Sequence, residues 1–62
     1  METIAIHLEL TDDEAAALAQ FLKRVGIDDY RTLAVDQDEA WHMLDAGERV
    51  RAALAEAGYA PR

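Results

Sequence analysis

Cysteine, serine and asparagine are absent from these 62 residues, proline occurs once and glycine three times. Without cysteine, no disulfide and no thiolate metal site can hold the fold together. Without serine or cysteine, the commonest hydroxyl and thiol nucleophiles are missing. Positive charge is also scarce, with 6 Lys/Arg against 13 Asp/Glu and a formal charge of −7. Nucleic-acid binding rests on basic side chains that neutralise phosphates, so this balance points away from DNA or RNA. No apolar run approaches the roughly 18 residues that a membrane span requires. Met1 to His7 carries no basic start and no long apolar stretch, so no secretory signal is expected and a cytoplasmic setting is the default.

The length allows one small domain, residues 1–62. Apolar residues make up 52%, but 13 of them are alanine, so large side chains for a core are few. A chain this small buries only about 60% of its unfolded surface, and a partner subunit is the expected remedy. It also leaves little volume for an enclosed substrate pocket.

Residues 3–10 alternate. Ile4, Ile6, Leu8 and Leu10 fall on one face and Thr3, Ala5, His7 and Glu9 on the other, which predicts a half-buried strand. Thr11 and Glu14 then form a capping box, with Asp12 and Asp13 in a first turn that favours anions. The helix from 12 to 25 carries Ala15, Leu18, Leu22 and Val25 on one stripe, with Phe21 on its shoulder. Lys23 and Arg24 suit its last turn. Gly26 reads as its left-handed terminator, with Ile27 packing back. Residues 28–34 predict one or two further helical turns. Asp36 and Glu39 repeat the capping pattern before a long helix from about 37 to 57. Its narrow stripe is Ala40, Met43, Leu44, Gly47, Val50, Leu54 and Ala57, with Trp41 beside it. Gly47 costs up to about 1 kcal/mol against alanine in mid-helix, so a close backbone crossing is its expected use. Gly58 and Tyr59 close that helix, and Pro61 forbids continuation.

A lone strand leaves its backbone N–H and C=O groups unpaired, and every later segment reads as helix or cap. The expected fold is therefore α+β, with one N-terminal strand, a helix, a short helix and a long helix. The strand, through Ile4, Ile6, Leu8 and Leu10, would pair with its own copy across a two-fold homodimer. The rival arrangement adds it to a sheet edge of another protein.

Thr3-Ile4-Ala5-Ile6-His7-Leu8-Glu9-Leu10, followed by a capped helix ending at Gly26, resembles the ribbon-helix-helix family of repressors and antitoxins. That resemblance implies base reading by Thr3, Ala5 and His7, and a phosphate held at Ile27-Asp28-Asp29. No Arg, Lys, Asn or Gln projects from the strand, and two carboxylates stand where the phosphate would approach. The acidic composition and the tail from Arg51 to Arg62 are similar to small acidic phage and prophage proteins. Some of those inhibit host enzymes or CRISPR complexes by occupying a nucleic-acid site. The resemblance implies a modulator of a host protein with a basic surface, working in the host cytoplasm, and transfers no individual residue.

Asp28, Asp29, Asp36, Asp38 and Glu39 bracket the short helix and are the candidate partner-binding charges, although capping accounts for part of the acidic excess. Trp41 joins them as a candidate anchor if exposed; burial in the core or a dimer seam is the expectation. His42 has Asp38 four residues before it and Asp45 three after, but matches no His-x-x-x-His or Glu-x-x-His metal pattern. No catalytic residue, metal or cofactor is expected. The function this supports is a non-enzymatic acidic protein-binding module, with a ribbon-helix-helix-like regulator or antitoxin as the alternative.

Overall fold

Thr11 starts the first helix as its spacing requires. Its hydroxyl accepts from the Glu14 N–H at 3.1 Å, and the Glu14 carboxylate accepts from the Thr11 N–H at 2.9 Å. In the computed structural model, which describes residues 2–60, α1 runs Asp12–Arg24, α2 Ile27–Leu33 and α3 Gln37–Glu56. α1 and α2 each pack on α3.

Gly26 does not end α1 in the left-handed region. Its φ is −119°, and it serves instead as the N-cap of α2. The reason is the immediate restart at Ile27, which needs an extended residue. Glycine has no side chain to cap with, so the reciprocal half acts alone, with the Gly26 N–H donating to Asp29 Oδ2 at 2.8 Å. Gly58 does take the left-handed role, at φ +104°. The Tyr59 N–H donates to the Leu54 carbonyl at 2.8 Å and the Gly58 N–H to that of Ala55 at 3.0 Å. This paired termination closes α3; Pro61 lies outside the described residues.

Three helices meet at Gly47. A Cβ there would stand 2.5 Å from the Tyr30 hydroxyl of α2 and 3.5 Å from Leu22 Cδ2 of α1. The close approach expected at this glycine is thus made by side chains, not by a crossing backbone. The core around it is small. Ala15, Ala19, Leu22, Ala40 and Leu54 are buried, and three of these five are alanine. Leu18, Val25 and Tyr59 pack partly against the cluster. Phe21 and Val50, expected beside or within the apolar stripes, are exposed.

The α+β expectation is overturned. The described residues contain no strand, and residues 2–10 carry no regular secondary structure. Alternation is a property of one segment, whereas a strand also needs a ladder partner, and every other segment able to supply one is helical. The two-fold strand pairing that rested on Ile4, Ile6, Leu8 and Leu10 therefore has no structural basis. Only the helices of the ribbon-helix-helix pattern remain. The segment is an arm whose apolar side chains become more exposed away from the helices: Leu10 37%, Leu8 64%, Ile6 77% and Ile4 84%. Its base, at Leu8 to Leu10, lines a shallow cleft with Ala15, Leu54, Ala57 and Tyr59.

The chain measures 33 × 28 × 16 Å, so its least dimension is little more than the width of one helix. Its radius of gyration is 12.5 Å, against roughly 10.6 Å for a compact chain of this length. The accessible surface is 5307 Å², against roughly 4,000 Å² for a compact monomer of the same mass. A single helical layer with a projecting arm accounts for both excesses.

Candidate functional site

The acidic residues bracketing α2 divide into two groups once their partners are known. Asp36 caps α3, its Oδ1 accepting from the Glu39 N–H at 2.8 Å. Glu39 reaches one residue further back than a standard capping box, accepting from the Val35 N–H at 3.0 Å. Asp29 is engaged with Gly26 as described. These three carboxylates serve helix starts. Asp28 pairs with Arg31 at 3.1 Å on the surface, a spacing of one helical turn that contributes a few tenths of a kcal/mol. Asp38 is exposed and has no hydrogen bond or ion pair with a described residue.

Trp41 is 42% exposed, so neither the core nor another described segment covers it fully. Its position beside the Ala40–Leu44 stripe explains this: Ala40 takes the buried position facing the other helices, and the indole is turned to the edge. Asp38 lies three residues before Trp41 and Asp45 four after, which places all three on one face of α3. Asp45 is exposed and, like Asp38, has no partner among the described residues. An aromatic face flanked by two free carboxylates is suited to a cationic side chain, which can stack on the indole while its charge is matched. Asp45 was not among the expected partner-binding residues, although its four-residue spacing from Trp41 was visible. Among the described residues no group of three His, Asp or Glu side chains could hold a metal.

A second surface feature was not foreseen. An open groove of about 740 Å³ lies between α1 and α2, with Phe21, Val25, Tyr30 and Leu33 giving it an apolar lining and Arg24 and Asp29 its charges. It exceeds what the chain length suggested, because α1 and α2 pack on α3 and leave a gap between themselves.

Among the described residues two titrating groups depart from ordinary values, and both belong to helix ends. Hydrogen bonds from the Thr11 backbone and hydroxyl lower the Glu14 carboxyl below its usual 4.5. The Tyr59 hydroxyl donates to Asp12 Oδ1, which ties the end of α3 to the start of α1. That hydrogen bond, with smaller contributions from burial and the Asp12 charge, raises the phenol above its usual 10.0. No described polar or charged side chain is buried.

Helices and surface together define an all-α, three-helix chain with an acidic exterior, and no described helix is long and apolar enough to cross a membrane. The chain belongs to a family of unknown function, DUF7706, whose model matches residues 1–62. No curated protein and no solved structure matches it.

Proposed function

We propose that this chain is a non-enzymatic protein-binding module that takes a basic, partly apolar surface of another protein against the Asp38–Trp41–Asp45 face of α3. The observation that carries this reading is the exposed tryptophan between two carboxylates that no cap or ion pair engages among the described residues. Tryptophan is the residue type most enriched where binding energy concentrates. The net charge of −7 adds long-range attraction for a basic partner. The two groups with shifted titration serve a cap and a helix tie, which leaves neither arranged for proton transfer to a substrate. Modulation of a host protein, in the manner of small acidic phage proteins, is the biological setting this chemistry fits.

The test is titration of the protein with an arginine-containing amphipathic peptide, followed through the emission of its single tryptophan. Trp41→Ala, followed by calorimetry in place of emission, should weaken binding at least about tenfold. Asp38→Asn with Asp45→Asn should slow association and flatten its salt dependence. Binding unchanged in both variants would remove this face from the function.

A further inference from the structure

α3 has an outer side that no other described element covers. Ala40, Gly47 and Leu54 mark the opposite side, on which α1 and α2 pack. On the outer side Asp38, Trp41, Asp45, Glu48, Ala52 and Ala55 are all exposed. Their spacing alternates three and four residues, which confines them to about 100° of helical arc and is the repeat of a helix–helix seam. The stripe changes character along its length. Its first half is acidic around the indole: Asp38 and Asp45 engage no described residue, and Glu48 has only Arg51, at 3.9 Å. Its second half is alanine, over which a second backbone can come close.

Resting on the proposed function, which puts a basic partner on this face, we propose that the partner binds as an α-helix laid along α3 from Asp38 to Ala55, with two cationic side chains seven residues apart. Spacing decides between a helix and an extended segment. Asp38 and Asp45 are separated by seven residues, or about 10.5 Å along the axis. Residues seven apart on a second helix span the same rise and point to the same side. An extended segment repeats on one side at ~6.7 and ~13.4 Å, so two of its cations cannot meet both carboxylates. Between its cations the partner needs a small side chain, because the indole stands there. Beyond them it needs small apolar ones over Ala52 and Ala55. A second copy of this chain does not fit, since the same stripe and the −7 charge would set carboxylate against carboxylate.

Three alanine-rich peptides of equal charge test this, each without aromatic residues so that Trp41 alone reports. The first carries two arginines seven residues apart on one helical face. The second has the same composition with the arginines nine apart, on opposite faces. The third keeps the spacing of the first but has a central proline, which breaks the helix. The first should bind at least about tenfold more tightly than either of the others, because they lose a charge-assisted contact or the helix that aligns it. Ala52→Gln, a neutral change at an exposed position, should keep the helical circular dichroism and remove most of that preference. Equal affinity for the first and third peptides would overturn the helical partner, and equal affinity for the first and second the seven-residue spacing. A preference intact in Ala52→Gln would overturn docking along the length of α3. In each of these cases Trp41→Ala, followed by calorimetry, would still weaken binding if the face itself is correct, and the proposed function would stand. Binding by none of the peptides, or binding indifferent to Trp41→Ala, would remove both.

Discussion

Tyr30 and Gly47 are mutually determined: the hydroxyl of one occupies the space where a Cβ on the other would stand, 2.5 Å away. Tyr30 sits on the short α2 and Gly47 in the middle of α3, so this contact sets how closely the two helices approach. Without the hydroxyl, the nearest atoms to such a Cβ would be Tyr30 Cζ and Leu22 Cδ2, both at the ordinary distance of 3.5 Å.

Gly47→Ala should therefore lower stability, although alanine is the better helix former by about 1 kcal/mol. In a Tyr30→Phe background the same substitution should raise it, by up to that amount. A double-mutant cycle in urea measures the change of sign. Additive effects would show that the hydroxyl moves aside at no cost.

Thr11→Ala should cost about 1 kcal/mol through loss of the α1 cap. The same cap predicts an acid limb. Because folding lowers the Glu14 carboxyl below 4.5, its contribution is present above that value and is lost as pH falls through the lowered one. Thermal unfolding between pH 5 and 2 should show this limb, and Thr11→Ala should make it shallower.

At the alkaline end the sign reverses. Folding raises the Tyr59 phenol above 10.0, so its contribution is complete below that pH and is lost as pH rises through the raised value. Tyr59→Phe should lower stability at neutral pH and remove this alkaline limb. Denaturant midpoints at pH 7 and above pH 10, compared with the parent, check both statements.

Asp36 and Asp38 are two residues apart and should behave oppositely. Asp36→Ala removes the α3 cap and should cost about 1 kcal/mol. Asp38→Ala should leave stability within about 0.5 kcal/mol, since its carboxylate has no partner among the described residues. Equal losses in chemical denaturation would mean that Asp38 also has a structural role.

The local features were legible because each depends on residues three to five apart. Thr11 with Glu14, Asp36 with Glu39, and Gly58 with Tyr59 are helix boundaries written in short spacings, and they stand where expected. Gly26 shows the limit, since a glycine between two helices can end the first or begin the second. The arm shows another: Ile4 to Leu10 alternate as a strand would, and only the rest of the chain reveals that nothing pairs with them. Trp41 and the Phe21–Leu33 groove were less legible still. Their exposure follows from how α1 and α2 spread over α3, which no single segment encodes. The buried alanines point the same way, because close-packed small residues bring helices together without covering the large side chains at their edges.

The central claim is that Trp41 faces water in the free protein and becomes covered when a basic partner binds. As the only tryptophan in the chain, it reports on this without ambiguity. Quenching of its emission by acrylamide, with and without the arginine-containing peptide, is the most direct measurement. The account predicts ready quenching in the free protein, then a blue shift and strong protection as the peptide saturates. An indole already protected in the free protein, or equally quenched at saturation, would contradict it.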